Sequence, residues 1–280
     1  MQELNNRVAV VTGGASGIGF GLATAFANEG MRVVLGDIEA PALDEAVEKL
    51  QAMGADVIGV RTDVSDPAQV QGLADVAVER FGGIHIACNN AGVAGGGLSW
   101  EVPIDTWEWV FGANLWGVIH GLRAFVPILM QQSEAHIVNT ASLAGLVAGP
   151  FMGPYNASKH AVVAISETLH HELALMAPQV KVSVLCPGWV RTRIAESSRN
   201  RPAGPGEEPA VPGGMAQVLQ SFIDNGMPPE ALAAKVVDAI REERFWILPH
   251  DDQGDFSVKM VNDRAQSLLG RTNPTIRTPL

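Results

Sequence analysis

Apolar positions along the chain fall into two alternating kinds of run. Short, β-branched, almost unbroken apolar runs occur at 7–12, 31–36, 56–61, 84–88, 135–140, 179–186 and 245–248. Their length and character suit strands buried on both faces. Between them, apolar residues recur at helical spacing over about 18–29, 40–53, 67–81, 103–132, 153–177 and 229–242. This alternation predicts an α/β fold of the doubly wound type, a parallel sheet with right-handed crossovers and helices on both faces. With no internal repeat and no dividing linker, a single domain over 1–280 is expected.

The pattern breaks at 199–214, which is rich in Pro and Gly and poor in large apolar groups, and resumes as a short amphipathic stretch at 215–223. The break reads as a mobile loop, either a lid or a passive surface insertion. The wider 189–227 is assigned as a lid segment, and 251–280 as a polar C-terminal tail.

Composition narrows the partners. Of the 280 residues 47% are apolar, yet no run approaches a membrane span, and no signal-type leader is visible. A cytoplasmic protein is expected. A net charge of −11 argues against nucleic acid and anionic membranes. Cys88 and Cys186 each end an apolar run and read as small buried hydrophobes.

Candidate chemistry begins at the first strand. Arg7-Val-Ala-Val-Val-Thr12 runs into Gly13-Gly-Ala-Ser16-Gly17-Ile18-Gly19 and then a helix. Strand, glycine turn and helix form the context in which backbone N–H groups and the helix dipole receive a pyrophosphate. Asp37 falls at the tip of the second strand, about 18 residues past Gly19. An acid there can accept hydrogen bonds from both adenosine ribose hydroxyls, and it repels a 2′-phosphate. That repulsion makes NAD the expected cofactor. Tyr155, the only tyrosine, precedes Lys159 by four positions and shares its helix face. A cation there is expected to lower the phenol's pKa toward the working range.

Taken in order, Thr12 to Gly19, Asp63-Val64, Asn89-Asn90-Ala91-Gly92, Asn114, Ser142, Tyr155 with Lys159, and Pro187-Gly188 resemble the short-chain dehydrogenase/reductase family over about residues 7–192. The resemblance implies a Rossmann-type sheet of seven strands in the order 3-2-1-4-5-6-7. It implies that Asp63 and the Val64 backbone meet the adenine, that Asn90 and Gly92 border the cofactor sugar, and that Asn89 ties neighbouring strands. Pro187, Gly188, the Val190 backbone and the Thr192 hydroxyl would orient the nicotinamide. Ser142 would hold the substrate oxygen, Tyr155 would transfer its proton, Lys159 would also bind the nicotinamide ribose, and Asn114 would hold a water linked to Lys159. Ser16 and Ile38 stand where the family's NADP-using members often carry a basic residue, so the resemblance also implies NAD. No metal is implied.

The implied activity is hydride transfer between NAD and a secondary alcohol or its ketone. Two alternatives stay open: an NADPH-dependent carbonyl reductase, and a non-enzymatic NAD-binding sensor. Leu143, Phe151, Met152, Trp189, Ile194, Met215, Leu219 and Phe222 are candidate pocket residues, and their apolar bias favours a hydrophobic small-molecule substrate. The helices at 103–132 and 153–177 are apolar enough to pack against a twin, giving a homo-oligomer, dimer or tetramer. His170-His171-Glu172 lacks the spacing of a zinc motif. His250-Asp251-Asp252 follows the last strand, where a surface cation has no support, and Trp100, Trp107, Trp109 and Trp116 read as core or interface packing.

Overall fold

The computed structural model describes residues 1–202, 215–250 and 256–274. Seven parallel strands form one sheet: β1 (Val8–Thr12), β2 (Arg32–Asp37), β3 (Val57–Arg61), β4 (Ile86–Asn89), β5 (Ala135–Thr140), β6 (Val180–Leu185) and β7 (Trp246–Ile247). Their spatial order is β3-β2-β1-β4-β5-β6-β7, as the resemblance implied.

The side-chain period of a strand explains why these runs are unbroken. In β1, Ala9 and Val11 enter one core with Leu22, Phe26, Val236 and Ile240. Val8 and Val10 enter the opposite core with Val70, Leu73, Phe125 and Leu129. Both faces are covered, so Val8 to Val11 are all apolar. The first core lies under α1 (Gly17–Asn28), α2 (Ala40–Ala52) and α8 (Pro229–Arg241). The second lies under α3 (Pro67–Phe81), α5 (Gly117–Leu129) and α6 (Gly153–Met176). Local chemistry sets the helix ends. Asp66 accepts a hydrogen bond from the Ala68 N–H ahead of α3, Pro67 opens that helix, and Gly82 closes it at φ 83°.

Four predicted elements differ. The helix expected over 103–132 is α4 (Ile104–Phe111), a π-helical segment (Gly112–Trp116) and α5, running end to end. The strand expected at 245–248 shortens to two residues, because an edge strand pairs on one side only, here through Val184↔Trp246 and Leu185↔Ile247. The tail assigned to 251–280 contains a helix, α9 (Phe256–Gly270). The loop expected from 199 starts later than predicted: Ile194–Asn200 form a 3₁₀ helix, and residues 203–214 lie outside the described residues. The helix expected at 215–223 is α7 (Met215–Asp224). Among the described residues no helix is long and apolar enough to cross a membrane.

Candidate active site

Strand order reverses between β1 and β4, and a crevice opens at the carboxyl ends of those strands. A cavity of about 780 Å³ lies there. Its wall includes Gly13, Ser16, Gly17, Ile18, Asp37, Asp63, Val64, Asn90, Gly92, Ser142, Tyr155, Lys159, Pro187, Gly188, Val190 and Thr192. Of the predicted site residues only Gly19 and Asn114 stand behind the wall.

The turn from β1 into α1 is a tight cradle. Gly13 and Gly17 have φ of 63° and 53°, the left-handed region that glycine enters without strain. A Cβ on Gly19 would stand 2.0 Å from the Gly13 carbonyl oxygen, so this position needs glycine for packing alone. The Ser16 side chain makes no cap bond to α1, and α1 has no acidic residue in its first turn. This helix N-terminus, bare of competing carboxylates, fits a pyrophosphate.

Asp37 ends β2 beside that cradle. Its two carboxylate oxygens accept from the Ala15 and Glu39 N–H groups, both at 3.0 Å. Burial pushes its pKa above the usual carboxylate range, and the backbone donors oppose that. Asp63 turns its Oδ1 to the Ser65 N–H and hydroxyl, at 2.9 and 2.7 Å. The Val64 carbonyl oxygen lies 2.9 Å from Nδ1 of His120. Thr12 has a role that sequence reading missed. Its hydroxyl accepts from the Asn90 and Ala91 N–H groups, at 2.9 and 3.1 Å, and so fixes the loop after β4 to β1. Asn89 donates to Asn139 at 2.9 Å, tying β4 to β5.

Asn114 lies in the π segment and is fully buried. It pairs with the Val93 backbone in both directions: Oδ1 accepts from the N–H at 2.7 Å, and Nδ2 donates to the carbonyl at 3.0 Å. Nδ2 also reaches the Ser158 hydroxyl at 3.2 Å. Lys159 instead donates to the Thr140 carbonyl at 2.9 Å.

Tyr155 and Lys159 occupy successive turns of α6, and Ser142 follows β5. The Tyr155 phenol and the Ser142 hydroxyl both face the cavity. Lys159 Nζ stands 5.8 Å from the centre of the Tyr155 ring. One expectation is corrected at this point. Burial holds the Tyr155 pKa above its ordinary value, and the Ser142 hydroxyl, not Lys159, opposes the rise. Burial also pulls Lys159 down to about 8. In a site this dry both charged forms are disfavoured, which spacing on a helix cannot reveal.

Thr192 packs against Gly17, where an added Cβ would lie 3.0 Å from its Cγ2; the loop after β6 therefore closes on the glycine turn. Leu143, Phe151, Met152, Trp189, Ile194 and Phe222 line the apolar end, with Trp189 stacked on Phe222 at 5.4 Å. Of Met215 and Leu219 only the helical backbone is described. His250, and Met260 of α9, join this wall unpredicted; His250 is buried in the pocket and not at the surface, while Asp251 and Asp252 lie outside the described residues. Trp109 also lines the cavity, with the Arg201 guanidinium 5.8 Å from its ring centre, whereas Trp100 and Trp116 are exposed. Among the described residues no cluster of His, Cys, Asp and Glu could hold a metal. Both cysteines are free and buried.

The family model for short chain dehydrogenases matches residues 7–203, and the chain belongs to that family. Among curated proteins, a CLA biosynthesis dehydrogenase/reductase of Lactiplantibacillus plantarum is 33% identical over 99% of this chain and 98% of its own. A 1-deoxy-11-beta-hydroxypentalenate dehydrogenase of Streptomyces avermitilis is 48% identical over 68% of this chain and 71% of its own. A short-chain dehydrogenase/reductase from Burkholderia phymatum, solved in complex with NAD, superposes with a TM-score of 0.94 at 45% identity and covers 100% of both chains. The protein is therefore an oxidoreductase that uses a nicotinamide cofactor on alcohol and carbonyl groups.

Proposed function

We propose that the chain interconverts a hydrophobic secondary alcohol and its ketone, with NAD preferred over NADP. The observation that carries this reading is the convergence of Ser142, Tyr155 and buried Lys159 on the same cavity as the glycine cradle and Asp37.

The glycine turn, with the free N–H groups at the start of α1, holds the pyrophosphate, and Asp37 takes the ribose hydroxyls. When bound, the nicotinamide supplies the hydride acceptor and, in its oxidised form, a positive charge. Ser142 holds the substrate oxygen and donates to it as charge develops. Tyr155 takes the hydroxyl proton, and Lys159 holds the nicotinamide ribose. Asn114 keeps the π segment docked on Val93 and so supports the wall behind Lys159. The apolar lining, from Phe151 to Phe222, excludes water and favours an apolar substrate. The Streptomyces relative, named for a hydroxypentalenate, is consistent with that choice.

Tyr155→Phe tests the reading, because it removes one hydroxyl and little else. Turnover of a hydrophobic alcohol panel is expected to fall at least a thousandfold while the NADH dissociation constant holds. Near-normal turnover would overturn the assignment. A cytoplasmic homo-oligomer completes the proposal: Trp100, Ile104 and Trp116 near α4 and α5, and Leu175 and Met176 at the end of α6, are exposed apolar groups on the helices expected to meet a twin.

A further inference from the structure

Glu39 lies two residues beyond Asp37, and the dinucleotide reading above gives it no role. Its Oε1 nevertheless accepts three hydrogen bonds from the segment after β6. Arg199 donates through Nε at 3.0 Å and Nη2 at 2.6 Å, and Asn200 through Nδ2 at 2.9 Å. These donors hold the Glu39 carboxyl below the usual range, so it is ionised at neutral pH. Arg199 is steadied by a further bond, from Nη1 to the Arg193 carbonyl at 3.2 Å.

The latch is the middle of a strap. At the near end, the Ser197 hydroxyl accepts from the Ala94 N–H at 2.8 Å. At the far end, Arg201 pairs with Asp105 at 2.8 Å and reaches the Thr106 hydroxyl at 3.0 Å. Residues 197–201 thus touch the loop after β4 through Ser197, the segment after β2 through Arg199 and Asn200, and α4 through Arg201, and bridge the two sides of the crevice. Three arginines line the cavity, and each already has an acid: Arg193 with Glu196, Arg199 with Glu39, Arg201 with Asp105.

Charge bookkeeping gives these pairs a consequence. A guanidinium fork is the best protein receptor for a phosphate, and it binds one only if its donors are free. Arg199 is anchored to the residue whose own N–H is bonded to Asp37, which puts it at the ribose end of the cavity. Among the described residues only Glu39 commits its Nε and Nη2. We propose that Glu39 is a positioning residue for cofactor choice: by occupying Arg199 it denies a dinucleotide's 2′-phosphate a guanidinium at the ribose end of the cavity, and so adds to the repulsion from Asp37 itself. The inference rests on the dinucleotide reading of the cavity.

Four proteins test it: wild type, Glu39→Gln, Arg199→Ala and the double variant. NADH and NADPH are titrated by fluorescence, and AMP and adenosine 2′,5′-bisphosphate by calorimetry, at low and moderate salt. Glu39→Gln is expected to lower the ratio of NADPH to NADH dissociation constants about tenfold, the scale of one charge-assisted hydrogen bond. The gain should be largest at low salt, should appear with the bisphosphate and not with AMP, and should vanish in the double variant. An unchanged ratio in Glu39→Gln overturns the inference. So does a gain that survives loss of Arg199, which would make Glu39 a simple repelling charge. Glu39→Ala repeats the measurement should the amide retain the latch. Failure of wild type to bind NADH would instead fall on the cofactor reading, and this inference would go with it.

Discussion

Replacing Lys159 with methionine should make the cofactor-free protein more stable while ending its activity. The ammonium is buried, and burial brings its pKa from an ordinary value near 10.5 to about 8. That gap, at about 1.4 kcal/mol per pH unit, makes holding the charge cost about 3 kcal/mol of folding stability at neutral pH. Methionine fills nearly the same volume without the charge. It forfeits the hydrogen bond to the Thr140 carbonyl, worth about 1–2 kcal/mol. A net gain of about 1–2 kcal/mol remains, or roughly 2–6 °C in Tm for a chain of this size. Calorimetric melting without cofactor, from pH 7 to 10.5, is the assay. Between pH 8 and 10.5 the unfolded lysine binds a proton that the folded one does not, so wild-type stability rises with pH through that window. The advantage of Lys159→Met should therefore be greatest below pH 8 and fade toward pH 10.5. A variant that melts below wild type at pH 7, or a pH-independent difference, would refute the claim that the buried charge is a net burden.

Further outcomes follow from the same geometry. Ser142→Ala removes the hydroxyl that lowers the Tyr155 pKa. It should cut kcat/KM by about 10²–10³ and move the rising limb of the oxidation pH profile to higher pH, as steady-state kinetics would show. Specificity constants should favour NAD over NADP by about a hundredfold, the scale of 2–3 kcal/mol of repulsion at Asp37; equal use would show that Asp37 is misassigned. Gly121→Ala would put a Cβ 1.9 Å from Asn89 Oδ1 and disturb the buried bonds from Asn89 to Asn139 and from Asn139 to Ser166, so thermal unfolding should show a loss of about 2–4 kcal/mol. Gly72→Ala, in α3 with nothing within 4 Å, should instead stabilise by about 0.5–1 kcal/mol.

The sheet was legible because its strands are buried on both faces, which leaves only apolar residues at positions such as Val8 to Val11. Its order was legible through the resemblance. The π segment was not, because the force that sets it there is tertiary: the extra residue per turn lets Asn114 meet the Val93 backbone, 21 positions away. The grouping of predicted residues around one cavity follows from where each motif sits, at the carboxyl end of a strand or just after it. The strap escaped sequence reading for a different reason. Glu39 and Arg199 are 160 positions apart, and each looks like an ordinary surface charge. Met260 lay in a segment read as polar tail, and no local signal announces that one methionine of α9 reaches a pocket. Tyr155 shows the limit most plainly: helical spacing gave its neighbour, but only the surrounding burial gave the direction of its pKa.

The order in which the strands take their places has a consequence for how the chain acquires its structure. β1 needs two neighbours, β2 and β4, and β4 begins only at Ile86. A growing or refolding chain can join β1, β2 and β3 first, and until β4 arrives the other edge of Val8–Thr12 is a bare row of N–H and C=O groups flanked by apolar side chains. Such an edge accepts a strand from any nearby molecule as readily as its own. The glycine turn is unfinished over the same interval, because Gly13 rests against Ala91 in the loop that follows β4. Cofactor added early cannot rescue such a chain, so recovery after denaturation depends on dilution, and concentrated refolding loses material to aggregates joined through β1.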